Sequence, residues 1–442
     1  MLNTLTQAFN HHAQKLANRT LYLACSGGRD SLSLAYGCYL LHQAGKIEQL
    51  PILLHVHHGW QEANNDWARD VAAWADQFGF DCRILPIKLP KNSETHAREA
   101  RYAALISVMN EGDVLMLGHH QHDQAETMLM RLANGSGVSG LAAMREWQQM
   151  GDKRIQLWRP LLGVSRDEIS RFADEYHLPY VDDPTNVDDE HARGKLRNHI
   201  LPRLCQLNPK AVQNIARTGL LLAQASDIID ELIDEKLADA TDRLAQSGYY
   251  EMLDINKLLA LSSAVQSTLI HRWLGLSEPM PPPKRLVDDV LCLAHRTDGD
   301  HQTQLLWQSR LNYVICRYQS KLYRYQEVAW ACLMVQNYPN VIYHDDKIIL
   351  KSHERLSIVW QMPHQIKNIS AERVLRQTKV NINHKRLHGK KLVQKLGIPT
   401  WLRSNLWIIK SDDRPALLIT LGRAWRLDGA DADIENIGAH FA

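Results

Sequence analysis

The chain has 442 residues, too many for a single core, so two to four domains are expected. With 51 Lys and Arg against 49 Asp and Glu, the net charge of +2 excludes a protein that holds polyanions by bulk charge alone. The seven cysteines are scattered and never in C-x-x-C spacing, which argues against a disulfide frame, a zinc ribbon or an iron–sulfur cluster and for reduced thiols in the cytoplasm.

Residues 1–16 read as an amphipathic helix rather than a secretory signal, and no apolar run approaches a membrane span, so no membrane partner is expected. Strand-like runs follow at 21–24, 52–56, 82–89, 114–117 and 155–162, with helical periodicity at 30–43, 62–78, 95–109 and 121–133. Strands alternating with helices predict parallel βαβ units, hence an α/β domain with a doubly wound parallel sheet. Ser165, with Glu168 three places on, opens a helix over 165–177 as a capping box. From about 210 the pattern turns helical, as one long amphipathic helix or two. Prolines at 279–283 break a helical region, and alternation at 303–325 suggests a hairpin. Beyond 340, short strand-like stretches at 348–350, 356–360, 406–409 and 416–420 predict a small mixed or β-rich module. The expected domains are therefore 1–208, mostly helical 209–328, and 340–442.

Ser26-Gly27-Gly28-Arg29-Asp30-Ser31 follows the first strand and precedes the first long helix. Glycines let the main chain approach phosphate oxygens, and the amides of a first helical turn point at them. The lysine of a triphosphate-clamping G-x-x-x-x-G-K-[ST] loop is missing.

In Gly118-His119-His120-Gln121-His122-Asp123-Gln124-Ala125-Glu126-Thr127, three histidines and two acids suit a transition-metal site. Asp123 and Glu126 also share one helix side, where carboxylates suit Mg²⁺ beside triphosphate, a substrate ammonium, or simply the helix dipole. Arg98 and Arg101, and likewise Arg193 and Arg197, present paired guanidinium groups to a phosphate or to a neighbouring carboxylate. Gly135, Gly137 and Gly140 either end the preceding helix or admit close approach of RNA or nucleotide. Between 373 and 410 there are ten Lys or Arg and no Asp or Glu, with Trp401 and Trp407 among them; this reads as a nucleic-acid surface or a solvated basic face.

These segments resemble, in order, the motifs of the tRNA(Ile)-lysidine synthase family within the ATP-pyrophosphatases. Residues 26–31 are similar to its SGGxDS loop and 118–127 to its HHxDDQxET motif. Leu54-His55-Val56-His57-His58-Gly59, Ala97-Arg98-Glu99-Ala100-Arg101-Tyr102, Gly135 to Met144, Arg159-Pro160-Leu161-Leu162, Asp183-Pro184-Thr185-Asn186 with Arg193 and Arg197, and Lys390-Lys391-Leu392 through Gly397, Trp401 and Arg403 resemble further family segments. Three positions depart: His122 stands where the family has the first Asp of its DD pair, Asn134 where it has an arginine, and Gly194 where it has an asparagine.

The resemblance implies a Rossmann-like PP-loop fold and a C–N ligase. Its ATP adenylates the wobble cytidine of tRNA(Ile) with a CAU anticodon. Free lysine then displaces AMP at C2, so that the tRNA reads AUA instead of AUG. It implies catalytic Asp30, Asp123 and Glu126, with Asp30 and Asp123 holding Mg²⁺. ATP contacts fall on Ser26, Gly27, Gly28, Arg29, Asp30, Ser31, His57, Arg98, Arg101 and His119. Contacts to tRNA or substrate fall on Arg159, Arg193, Arg197, Lys390, Lys391, Trp401 and Arg403. A homodimer is left open. So are two other functions, a thiolase-type PP-loop enzyme and a non-catalytic tRNA-binding relative.

Overall fold

The computed structural model describes residues 1–57, 63–87, 94–150, 154–181, 192–241, 250–298, 302–334, 340–344, 347–351, 357–361, 370–375, 377–382, 384–420, 423–428 and 439–441. The chain divides into two compact units, Met1–Ile229 and Asp230–Ala442.

The first unit is built on β1 (Leu21–Ala24), β2 (Ile52–His57), β3 (Cys82–Pro86), β4 (Val114–Met116), β5 (Trp147–Met150) and β6 (Ile155–Trp158). Their order is β3-β2-β1-β4-β6-β5, every pair parallel except β5 with β6. Two short helices, α1 (Leu2–His11) and α2 (Ala13–Leu16), come first; α3 (Arg29–Gln43), α4 (Ala63–Gln77) and α5 (Glu94–Ser107) follow β1, β2 and β3. Next come α6 (Gln121–Ala133) and α7 (Val138–Leu141) after β4, and α8 (Arg166–Glu175) after β6. The unit closes with α9 (Ala192–Lys195), a π-helical turn (Leu196–Ile200), α10 (Leu201–Leu207) and α11 (Ala211–Ala240), a single helix that continues into the second unit.

Successive strand residues face opposite sides of a sheet, and both sides here are covered. Leu23, Leu53, Met116 and Trp158 join one core with Leu34, Trp74 and Phe172, while Tyr22, Leu54, Leu115 and Leu157 join another with Leu105 and Met109. That two-sided burial explains the unbroken apolar runs of the inner strands. The chain leaves β1 toward β2 on one side and reaches β4 on the other. The ends of β1 and β4 therefore border the crevice where doubly wound sheets bind ligands.

Two segments stand apart from the sequence reading. The polar β5, Trp147-Gln148-Gln149-Met150, carries no apolar alternation because it is an edge strand with one neighbour. The run 155–162 stops being a strand at Trp158, since Pro160 has no amide to donate; Leu161 and Leu162 are buried in a turn instead.

In the second unit, β7 (Tyr250–Asp254), β8 (Gln304–Trp307), β9 (Tyr313–Tyr318) and β10 (Lys321–Gln326) form an antiparallel sheet in the order β7-β10-β9-β8. With it lie α12 (Ile255–Leu259), α13 (Ser263–Gly275), α14 (Lys284–His295) and α15 (Glu327–Met334). The C-terminal strands form small antiparallel sheets. β11 (Asn340–His344), β12 (Lys347–Lys351) and β13 (Ser357–Gln361) make one with a strand at Ala439–Phe441; β14 (Ser370–Arg373) makes another with strands at Trp407–Ser411, Arg414–Thr420 and Arg423–Arg426. A hairpin joins Lys379–Ile382 to Lys385–His388. Among the described residues two cores lie in this unit: one holds Tyr323 and Tyr325 of β10 with Ile398, Trp401, Ile408 and Leu418, the other Leu322 of β10 with Leu253, Trp273 and Val290.

Candidate active site

Gly27 turns the chain after β1 at φ +82°, in the left-handed region, and a Cβ there would meet Val71 at 2.9 Å. Gly28 then caps α3. Its amide donates to Ser26 Oγ (3.3 Å), Ser31 Oγ donates to its carbonyl (3.0 Å), and the two hydroxyls lie 3.2 Å apart. The amides of the first turn of α3 have no partner within the helix, which makes this end electropositive. The base of the loop is held by His55, whose buried Nδ1 donates to the Cys25 carbonyl (2.8 Å); burial pushes its pKa down. The Arg29 side chain donates to Ser170 Oγ (2.8 Å) and lies over the Tyr180 ring, a scaffold role that leaves any contact to ATP to its main chain.

The second loop leaves β4 at Gly118, where a Cβ would lie 3.1 Å from the Asp30 carbonyl oxygen. His120 caps α6 in a capping box: its Nδ1 accepts from the His122 amide (3.2 Å), and its own amide donates to Asp123 Oδ2 (3.1 Å). Its Nε2 stands between Asp30 Oδ2 (3.5 Å) and Asp123 Oδ2 (3.6 Å). Burial opposes a charge on this ring, but the hydrogen bond to Asp30 and the two carboxylates outweigh it and raise the pKa. Asp123 moves the other way. Burial pushes it up, yet His120, His119 and Arg193 hold it below the ordinary carboxylate range.

His119 Nδ1 accepts from Arg159 Nε (3.2 Å). Burial, with Arg159, Arg193 and Arg98 nearby, takes its pKa down to about 4 against the opposing pull of Asp123. His122 is likewise held below the usual histidine value by burial, His120 and Arg166. Its buried Nδ1 has no hydrogen-bond partner among the described residues. The three histidines thus face three different environments and do not converge as transition-metal ligands.

Glu126 is wholly buried and clamped from both sides. Arg193 Nε donates to Oε2 (2.8 Å), while Arg197 donates through Nε to Oε1 (2.7 Å) and through Nη2 to Oε2 (3.0 Å). Both of its oxygens are therefore taken up by guanidinium bonds, which are charge-assisted and geometrically specific. In this arrangement Glu126 orients Arg193 and Arg197. Those arginines are therefore not a free pair on an RNA-facing surface; both lie within 4 Å of Asp123 as well.

Arg159 is also corrected. It is buried, and besides His119 it donates to the Arg145 carbonyl (2.7 Å) and Gln148 Oε1 (3.3 Å), so it is no surface contact for RNA. Burial first, and then nearby cations, lowers the pKa of Arg131 (beside Arg98) and of Arg159 (beside Arg98 and Arg131), the mark of a cation cluster suited to an anion. Arg98 and Arg101 lie exposed on α5, and His57 ends β2. Gly135, at φ +71°, receives the end of α6, and the amide of Ser136 returns to Arg131, which is helix termination.

Reading the sequence missed Gln124, which is buried and exchanges hydrogen bonds with the main chain of Met144 (2.9 Å each way), tying α6 to the segment after α7. Residues 183–186 lie outside the described residues, as do His58 and Gly59.

In the second unit Lys390 and Lys391 are exposed on the helix Gly389–Lys395, and half-buried Arg403 donates to the Ile398 carbonyl (3.4 Å). Trp401 is only 7% exposed; its Nε1 donates to Tyr325 Oη (3.1 Å) and its ring packs on Tyr323 and Trp330. Its expected role as a base-stacking surface is corrected: the ring fills the core, because apolar area outweighs its basic neighbours.

Mg²⁺ takes one or two carboxylates with phosphate oxygens. Asp30 fits that, with 41% of its side chain exposed at the start of α3. Asp123 does not, since its Oδ2 takes the His120 amide and Oδ1 faces two guanidinium groups.

Residues 1–204 match a family model described as a PP-loop domain, and 253–323 one described as a TilS substrate binding domain. The fold and site thus define an ATP-utilising PP-loop protein. The chain is 39% identical to a tRNA(Ile)-lysidine synthase of Psychrobacter sp., over 91% of this chain and 87% of that one. It is 30% identical to that of Vibrio parahaemolyticus, over 98% and 99%, and 39% identical to that of Pseudomonas putida, over 59% and 61%. This chain belongs to the tRNA(Ile)-lysidine synthase family, whose members are C–N ligases.

Proposed function

We propose that the chain adenylates the wobble cytidine of tRNA(Ile) with a CAU anticodon and then joins free lysine to C2, releasing pyrophosphate and AMP. The cytosine C2 oxygen is a poor leaving group. Attack of that oxygen on the α-phosphorus of ATP expels pyrophosphate and makes AMP the group that the lysine ε-amine displaces. The observation that carries this reading is the meeting, at the ends of β1 and β4, of an open helix N-terminus with a cluster of cations and carboxylates.

In this reading the loop amides and the hydroxyls of Ser26 and Ser31 hold pyrophosphate, with Arg98 and Arg101 steadying other phosphate oxygens. Asp30 would hold Mg²⁺, which when bound offsets the charge of the triphosphate. Asp123, kept ionised, is a better counter-ion for the lysine ammonium than an acceptor of its proton. Residues 1–208 would carry the chemistry. Residues 209–328 and 340–442 would grip the tRNA, the exposed Lys390 and Lys391 among their contacts. We place the protein in the cytoplasm, where tRNA and free lysine meet.

A thiolase-type reaction needs a reactive thiolate. Burial pushes Cys25 and Cys82 up to about 11, which disfavours that alternative. The test is incubation with tRNA, Mg·ATP and labelled lysine. Label in tRNA with one AMP and one pyrophosphate is expected. AMP formation that needs a sulfur donor, ADP with orthophosphate, or tRNA binding without AMP would overturn the reading.

A further inference from the structure

We propose that Arg159 is a positioning residue that locks His119 as the tautomer with its proton on Nε2, presenting one neutral donor to the nucleotide-binding crevice. The inference deepens the reading above and rests on it for the ligand, a phosphate oxygen of the nucleotide.

The chemistry is forced by the donor inventory. A guanidinium has no acceptor, so the 3.2 Å contact from Arg159 Nε requires a lone pair on His119 Nδ1. A ring whose Nδ1 accepts carries its proton on Nε2. Among the described residues no hydrogen bond is formed to that Nε2, and the ring is half-buried beside β4.

Arg159 itself cannot swing away without loss. Its other nitrogens are spent on the Arg145 carbonyl and Gln148, and its own amide donates to the Glu146 carbonyl (2.9 Å). The side chain of Glu146 is anchored in turn by His12 (2.7 Å) and the Trp158 indole (3.2 Å). Arg159 is 3% exposed, so its charge also acts through little water on the ring it touches. The charged groups acting on His119 are Arg159, Arg193 and Arg98, which oppose protonation, and Asp123, which favours it. The result is a donor that stays neutral in neutral solution. A neutral donor bonds a phosphate oxygen without adding a proton that the reaction would have to remove.

The test uses the full chain labelled with ¹⁵N-histidine, with His119 assigned by its disappearance in His119→Gln. Long-range ¹H–¹⁵N spectra at pH 6 to 8 should show one acceptor-type Nδ1 and one protonated Nε2. In Arg159→Met the ring should pass to a mixture of tautomers and titrate at higher pH, and pyrophosphate release should fall by about tenfold. A wild-type ring protonated on Nδ1, or an unchanged ring in Arg159→Met, would overturn the inference. Should Arg159→Met not fold, Arg159→Lys and the wild-type spectrum alone still decide the tautomer. A locked ring in a chain that transfers no lysine would sink the proposed function and leave this inference standing.

Discussion

Gly118 and Asp30 sit back to back: a Cβ on Gly118 would lie 3.1 Å from the carbonyl oxygen of Asp30 and 3.3 Å from the amide of Ser31. The loop after β4 therefore presses against the first turn of α3. Gly118→Ala should push the two loops apart. Overpacking of this kind costs about 1–3 kcal/mol, and the neighbour is main chain, which yields less readily than a side-chain tip. Urea melts should show that loss, and pyrophosphate release should fall on the order of tenfold or more because the reacting groups are misplaced. A variant with unchanged activity would mean that the loop spacing has slack.

The Glu126 clamp makes an asymmetric prediction. Removing a charge from a buried pair costs roughly 3–5 kcal/mol, because the partner charge stays buried and unpaired. Glu126→Gln takes the closest charge from two guanidinium groups at once and leaves them only Asp123, whereas Arg197→Met leaves Glu126 its bond to Arg193. Thermal unfolding should therefore show a clearly larger loss for Glu126→Gln than for Arg197→Met. Equal losses would show that the arginines are well solvated.

His55 gives the molecule an acid-side slope. Its pKa is lowered by burial in the fold, so the unfolded chain binds the extra proton first as pH drops below about 6.5. Stability should rise with pH up to that point and be flat above it, as far as this group is concerned. Each such group contributes at most about 1.4 kcal/mol per pH unit. In His55→Gln, whose amide can still donate to the Cys25 carbonyl, the slope between pH 5 and 6.5 should shrink. Melts at pH 5, 6, 7 and 8 measure it.

Trp401 and Lys390 should separate stability from RNA binding. Trp401→Ala removes a core ring and should cost about 3–5 kcal/mol. Lys390→Gln with Lys391→Gln should leave the melt within about 0.5 kcal/mol but weaken tRNA binding. The salt dependence should fall by about one counterion per lost phosphate contact. A lysine pair that changes the melt and leaves the RNA affinity untouched would remove that surface from the RNA interface.

Much of this could be read from local pattern. The βα alternation, the glycine turn at Gly27 and the capping box at Ser165 are short-range features, and each appears where the residue order places it. The polar edge strand β5 was invisible because an edge needs no apolar alternation. Gln124 was invisible because its partner is the main chain of Met144, which any residue supplies.

By itself, the order of residues determined the periodic elements and the chemistry on offer at 26–31 and 118–127, because period and charge are properties of neighbours along the chain. Only the tertiary structure decided how those side chains are spent. It joined Glu126 to arginines 67 and 71 residues away and handed His119 to Arg159. It also buried Trp401 against Tyr325. Partner choice and burial arise from packing in three dimensions, and composition takes the same value for a ring in the core as for one on the surface.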